Sequence, residues 1–540
     1  MSKFRTSLGE EIYRQKYAQN AYQTWEDKAH VIVNWVCGDM GGTKNNLLGK
    51  EERDHLTHLI SEFKFMPGGR YIWYAGRKAR FMNNCYLLKA EEDSREEWAA
   101  LWQRGASCLM TGGGIGCDVS KFRPKGRTLS KTGGVSSGPL PFLLGMNEIG
   151  RNVMQGGSRR SAMYGSLNWQ HEDASEFLSI KNWSDEVKAA KAADFNSHAP
   201  LDMTNISLNY DDTWLRDSSN PVFMKNVYQA MSTGEPGFSF NFGIHQNETL
   251  RNACCEIVSE DDSDVCNLGS VNMANLRSIE EFKEVVELAS KFLVCGLIRA
   301  ELPYAKVERV RQKNSRLGLG LMGMHEWLLQ RDYKYEMNEE LGQWLGAYAR
   351  ISEKSANEHC DRLYLARPKG YRAIAPTGTI SMLAGTTSGI EPVYSVAYKR
   401  RYLTDGTKWK AQWAIDATAE TIIEGGVAPE KIESALDLAA DPERRIKFQY
   451  DVQKYVDQAI SSTINLPAWG TDLNNEGTVP QYATLIQKYA KGLRGLTVYP
   501  DGSRGGQPIT SVPYEEAKAK RGVVYDDNSE EVCSSGVCGI

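Results

Sequence analysis

The stretch Asn252-Ala253-Cys254-Cys255-Glu256 sets an amide, a thiol and a carboxylate at alternating positions. Side-chain direction repeats every two residues in extended backbone, so Asn252, Cys254 and Glu256 are expected to converge on one small volume, with Ala253 and Cys255 turned away. A hydrolytic cysteine needs a cationic partner to lower its thiol pKa, and a carboxylate does the opposite. The pairing suits a sulfur used as a radical beside a carboxylate used as a base. The plainer reading is a packed loop, since free cysteines are often simply buried.

The chain carries eleven cysteines, at 37, 85, 108, 117, 254, 255, 266, 295, 360, 533 and 538. The number is odd, they are widely spread, and the start MSKFRTSLGEEIYRQKY has no apolar signal-peptide core. Reduced thiols are expected, some of them chemical. Clustered C-x2-C pairs and H-E-x-x-H are missing, and Glu52-x-x-His55 cannot by itself supply a di-iron site, so no metal is expected. Of the 540 residues 41% are hydrophobic and 24% charged, with a net charge of −4. That balance fits a soluble globular enzyme and argues against a nucleic-acid binder. With no long apolar run to span a membrane, a cytoplasmic location is expected. The length allows several domains or one large α/β barrel with additions.

Several elements must position the reactive stretch. Residues 1–64 look helical, with Ile12, Tyr17, Tyr22 and Trp25 at roughly helical intervals. Phe65 to Arg70 reads as a turn before a strand at Tyr71–Tyr74, and Asn83 to Leu88 as the next strand, with Cys85 near its start. The cluster Thr111-Gly112-Gly113-Gly114-Ile115-Gly116 lets a backbone approach a ligand or a strand closely. Gly156-Gly157-Ser158-Arg159-Arg160-Ser161 repeats the habit and adds two guanidinium groups, suited to a phosphate, a base edge or plain solvent. Gly318-Leu319-Gly320-Leu321-Met322-Gly323 has dinucleotide-like spacing, but the polar Arg311–Arg316 precedes it, so its glycines are expected to ease helix packing. Pro376-Thr377-Gly378-Thr379-Ile380-Ser381 offers hydroxyls and N–H groups at a helix entrance, either an anion site or an ordinary cap. Residues 410–465 look helical, Leu496–Tyr499 reads as a last strand, and the chain after Arg504 is polar and weakly patterned.

Together these motifs resemble the catalytic subunit of the ribonucleotide reductases. NNCYLL, GGGIG, GGSRRSA, Asn205-Ile206-Ser207, NACCE, CNLGS, GLGLMG, PTGTIS, GIEP and LTVYPDGSR run in the family's order from about Pro67 to Arg504. The resemblance implies a ten-stranded α/β barrel over 65–504 with a central finger loop, preceded by a helical region over 1–64 and followed by a flexible redox tail over 505–540. It implies Cys254 as the thiyl radical, Glu256 as the base for the 3′-hydroxyl, Asn252 beside them, and Cys85 with Cys266 as the reducing pair. Cys533 and Cys538 resemble the tail shuttle that a thioredoxin- or glutaredoxin-like protein resets. Thr377, Gly378, Thr379 and Ser381, with Gly113 and Gly114, are the implied substrate contacts. Gly157, Arg159 and Arg160, with Asp93 and Arg123, are the implied contacts to a dNTP or ATP effector.

The finger departs from the family in Ala253 and in the additional Cys255. An amino-terminal nucleotide cone has no room before Pro67, so no switch of that kind is expected. The wording VYPDGSR and PTGTIS is closer to the adenosylcobalamin-dependent branch. The alternative is a radical passed from a separate metal-bearing small subunit, for which Tyr499 is the relay candidate although the usual tyrosine pair is Val498-Tyr499 here. A homodimer is compatible with the resemblance. The remaining rival, a catalytically inactive nucleotide-binding relative, is expected to have lost one of Cys85, Cys254, Glu256 and Cys266, and all four are present.

Overall fold

A computed structural model describes residues 3–39, 46–153, 161–194, 197–404, 408–503, 509–521 and 523–526. Ten strands share one hydrogen-bonded sheet. In chain order they are β1 (Phe65–Pro67), β2 (Cys85–Lys89), β3 (Gly114–Asp118), β4 (Met163–Asn168) and β5 (Thr204–Tyr210). Then come β6 (Gly237–Phe240), β7 (Asp264–Asn272), β8 (Leu317–Met322), β9 (Thr463–Leu466) and β10 (Gly495–Pro500).

Strands β2 to β6 are parallel neighbours. Direction reverses where β10 pairs antiparallel with β6, and β9 then runs parallel to β10. At the opposite edge β7 is antiparallel to β2 and parallel to β8, with β1 lying antiparallel on its far end. The ring closes through parallel bridges from Leu319 to Arg372 and from Ile374 to Ile460, just ahead of β9. The result is a barrel of two parallel halves set against each other.

Parallel neighbours need crossovers, which helices such as Arg95–Met110 and Pro221–Thr233 provide. The second shows its local logic fully. Asn220 caps it by accepting from the Phe223 N–H, Pro221 opens it, and Gly234 ends it at φ 85°. One outer core joins the amino-terminal helices to the helices Ile279–Arg299 and Glu339–Arg362, and a second backs β2 to β6. A third, small apolar cluster of Leu87, Leu250, Ile257, Cys266, Leu268, Ala373 and Ala375 lies inside the ring.

Five sequence expectations are corrected. Tyr71–Tyr74 belongs to a helix, Gly69–Tyr74, and the expected turn before it contains strand β1. A short apolar run does not by itself separate a strand from a buried helix. Tyr22, counted on the apolar helical face, is 92% exposed, while Tyr17 and Trp25 are buried. The glycines of GLGLMG serve a strand, β8, and a Cβ on Gly320 would come within 2.7 Å of the Ala373 carbonyl oxygen on the next stave. Residues 410–465 begin in a hairpin, Ala397–Thr404 with Lys408–Ile415, before turning helical. Part of the expected tail joins this hairpin: Ile509–Ser511 and Val524–Asp526 add strands to it, with the helix Tyr514–Ala519 between them in sequence.

Candidate active site

The finger springs from a two-residue pairing of Leu250–Arg251 with Val258–Ser259. Its tip is a turn, closed by the Cys255 N–H on the Asn252 carbonyl at 3.0 Å, with Cys255 at φ 68°. Asn252, Cys254 and Glu256 therefore gather by a turn, where extended backbone was expected, and Ala253 faces the same pocket. Arg251 anchors the base: its buried guanidinium donates to Asn241 Oδ1 at 2.7 Å and to the Arg494 carbonyl at 3.0 Å. The glycine cluster of β3 is the track beside which the finger lies. A Cβ on Gly116 would stand 1.6 Å from the Arg251 carbonyl oxygen, and one on Gly114 would stand 3.1 Å from the Ala253 Cβ.

Cys85 and Cys266 are directly opposite in the antiparallel register of β2 and β7. Such partners have Cα atoms about 4.5–5.5 Å apart, within the span of a disulfide. Both thiols are reduced here and buried. Asn252 Nδ2 donates to Cys85 Sγ at 3.0 Å, and the Ile257 N–H fixes the Asn252 amide oxygen at 3.0 Å. Burial, then the neighbouring Glu256, pushes the Cys85 thiol well above its usual range, and burial does the same to Cys266. Both thiols are held as S–H.

Glu256 is 1% exposed, and its Oε2 makes no hydrogen bond to the described residues. Burial raises its pKa to about 7, against the pull of the Asn252 amide. A carboxyl titrating there can take up or release a proton near neutrality. Cys85, Cys254 and Glu256 line one cavity of about 170 Å³. Its rim includes Thr377, Gly378 and Thr379, where a helix starts at Gly378 and leaves its first N–H groups without intrahelical partners. Thr377 holds the loop by accepting from the Gly389 N–H at 2.9 Å.

Two expected contacts stand off the wall. Gly113 is pressed against Tyr86, whose ring a Cβ would meet at 2.4 Å, and Ser381 pairs with Ser388 at 2.7 Å on the other side of the helix Gly378–Ala384. Asp93 and Arg123 do meet, Nε to Oδ2 at 2.6 Å, beside a separate surface cavity of about 270 Å³. Gly157, Arg159, Arg160, Cys533 and Cys538 lie outside the described residues. Tyr499 faces neither the thiols nor Glu256 but a cavity of about 450 Å³ beyond the helix Gly378–Ala384. Tyr17, Arg70 and Asn84 also line the reaction pocket, and none was expected there from the sequence, which read Tyr17 as part of an apolar helix face. The PGGR and NNC runs already held the signal for the last two, whereas Tyr17 comes from a helix with no chemical motif.

A lumen that gathers three thiols around one carboxyl defines a barrel protein equipped for oxidation and reduction at sulfur. Known proteins narrow the class. The family model for the ribonucleotide reductase barrel domain matches residues 83–230, 218–342 and 367–499, and the chain belongs to that family. It is 27% identical over 532 residues to the vitamin B12-dependent ribonucleoside-diphosphate reductase of Mycobacterium tuberculosis (strain CDC 1551 / Oshkosh), covering 85% of this chain and 73% of that one. A Mycobacterium phage D29 protein, provisionally named an adenosylcobalamin-dependent ribonucleoside-triphosphate reductase, is 23% identical over 98% of both chains. The class Id ribonucleotide reductase alpha subunit of Actinobacillus ureae shares the fold at a TM-score of 0.70 and 17% identity, over 92% of this chain and 97% of that one.

Proposed function

We propose that this ribonucleotide reductase works by thiyl-radical chemistry in the 170 Å³ pocket, and the facing of Cys85 and Cys266 beside Cys254 and Glu256 carries the reading. Phosphates of the ribonucleotide sit on Thr377, Gly378 and Thr379, where helix N–H groups and a hydroxyl meet negative charge. Cys254, as a thiyl, takes the 3′ hydrogen atom while the Glu256 carboxylate takes the 3′-hydroxyl proton. Cys85, kept protonated, gives its proton to the departing 2′-hydroxyl, which leaves as water. The Cys266 hydrogen goes to C2′ as Cys85 and Cys266 together release two electrons and close into a disulfide. Glu256 returns its proton to the 3′ oxygen, and Cys254 returns its hydrogen to C3′ and is a radical again. Cys533 and Cys538 then reopen that disulfide by thiol exchange, fed by a thioredoxin- or glutaredoxin-like donor. A dNTP or ATP effector is assigned to the cavity at Asp93 and Arg123.

The radical source is assigned to the 450 Å³ cavity bordered by Thr387, Tyr394, Asn465 and Tyr499. Among the described residues its wall carries hydroxyls, an amide, apolar groups and the carboxyls of Glu391 and Asp416, but neither Lys nor Arg, which disfavours a polyphosphate and leaves room for a macrocycle fringed with amide donors. Adenosylcobalamin held there supplies a carbon-centred radical. The test is purified chain with adenosylcobalamin, a dithiol and ribonucleotide. Deoxynucleotide that disappears in Cys254→Ser is the expected result, and no product without a partner protein would reject the cobalamin assignment.

A further inference from the structure

The amino-terminal helices have no part in the chemistry above, yet they place one side chain in the reaction pocket. Tyr17 is 2% exposed and shares the pocket wall with Gly69, Arg70 and Thr377 to Thr379. A Cβ on Gly69 would stand 3.0 Å from the Tyr17 hydroxyl oxygen and 4.0 Å from the ring carbon that bears it. The phenol therefore meets this part of the wall hydroxyl first. The residue after Gly69 is Arg70, whose guanidinium gives the same pocket a cation.

The arm that carries Tyr17 is fixed at three points. The helix Ser7–Ile12 lies against the helix Gly378–Ala384, where a Cβ on Gly9 would stand 2.8 Å from the Met382 carbonyl oxygen and 3.0 Å from that of Leu383. Arg5 Nη1 meets the buried Glu326 at 2.8 Å, and Glu326 accepts from Thr386 Oγ1 at 2.6 Å, just past the end of that second helix. The Tyr13 hydroxyl donates to the Thr24 carbonyl at 2.8 Å, and its ring packs edge-on against Trp25. From Tyr13 to Tyr17 the helix widens into one π-turn, closed by the Ala18 N–H on the Tyr13 carbonyl at 2.9 Å. Such turns are rare and recur at functional sites.

We propose that Tyr17 is a substrate-binding residue whose hydroxyl donates a hydrogen bond to a phosphate oxygen of the ribonucleotide, beside Arg70 and opposite the Thr377–Thr379 loop. This rests on the reading of that loop as the phosphate site. A phenol hydroxyl is a donor that adds no charge of its own, and a hydrogen bond to an anionic oxygen is about twice as strong as one between neutral groups. The arm that aims Tyr17 also holds the helix Gly378–Ala384 through Gly9, so residues 5–17 set both sides of the phosphate end together.

The test needs no radical. The full chain binds labelled cytidine diphosphate in equilibrium dialysis, and inorganic pyrophosphate and cytidine are each titrated in as competitors. Tyr17→Phe removes the hydroxyl and keeps the ring. It is expected to weaken the diphosphate and pyrophosphate about tenfold and to leave the competition constant of cytidine unchanged. Unchanged affinity for the diphosphate overturns the proposal, and so does a loss that cytidine shares equally, which would place Tyr17 against the nucleoside. Thr379→Ala separates this contact from the reading beneath it. A loss in Thr379→Ala with none in Tyr17→Phe removes Tyr17 alone, whereas no loss in either variant removes the phosphate site at Thr377–Thr379 as well.

Discussion

Cys85 and Cys266, separated by most of the first half of the chain, are cross-strand partners at the single seam where the β2–β6 half of the barrel meets β7. The seam is antiparallel, so the two side chains project from the same face of the sheet at the same height. A pair formed by directly opposed residues can close into a disulfide with little backbone movement. Replacing either by Ser is expected to end steady-state reduction. In the wild type, one turnover without external reductant is expected to consume two thiols by titration, and in either variant none.

Glu256 should make both rate and stability depend on pH. Its folded-state pKa of about 7 lies above the ordinary value of 4.5, so between these pH values the folded chain keeps a proton that the unfolded chain has lost. Stability from this group is full in acid and falls as pH rises through that window. Activity, which needs the carboxylate, rises over the upper part of it. Glu256→Gln is expected to abolish turnover and to flatten the fall of Tm between pH 5 and 8, relative to wild type, by differential scanning calorimetry.

Gly116 is required by space, not by backbone conformation. A Cβ there would overlap the Arg251 carbonyl oxygen at 1.6 Å, and backbone cannot yield as a flexible side chain does. Gly116→Ala is expected to cost about 3 kcal/mol, at the upper end of overpacking penalties, or to displace the finger. Chemical denaturation and thiol titration of Cys254 read the two outcomes separately.

Among the described residues, Arg70 is the single cationic side chain on the reaction pocket, 5% exposed, with its guanidinium 2.1 Å from where a Cβ on Gly112 would stand. A cation there favours a polyphosphate substrate. Arg70→Met is expected to raise KM for ribonucleotide about tenfold or more, with a smaller change in kcat, as loss of uniform binding would do.

The Asp93–Arg123 pair should matter to regulation and not to chemistry. Arg123→Ala is expected to leave reduction without effector near the wild-type rate and to weaken its response to dNTPs. An unchanged response in initial-rate assays would remove the cavity at Asp93 from the effector pathway.

Much of the site was legible in the order of residues, because chemistry depends on residue type. The N-x-C-x-E register singled out Cys254, the strand NNCYLL carried Cys85 at its start, and PTGTIS marked a helix entrance that lies on the rim of the pocket. The sequence by itself also determined that glycine would recur where backbones must touch, at Gly114 and Gly116. Only the tertiary structure decided which surfaces those residues face. Whether Tyr71–Tyr74 became helix or strand, and whether the β8 glycines served a stave or a helix, depended on partners far away in the chain, since short apolar runs satisfy either geometry. Register did the rest. A one-residue slip of β2 against β7 would turn Cys85 to the other face of the sheet. The pairing of Cys85 with Cys266, the tight turn that splits Cys254 from Cys255, and the entry of Tyr17 into the pocket are long-range outcomes that no local spacing encodes.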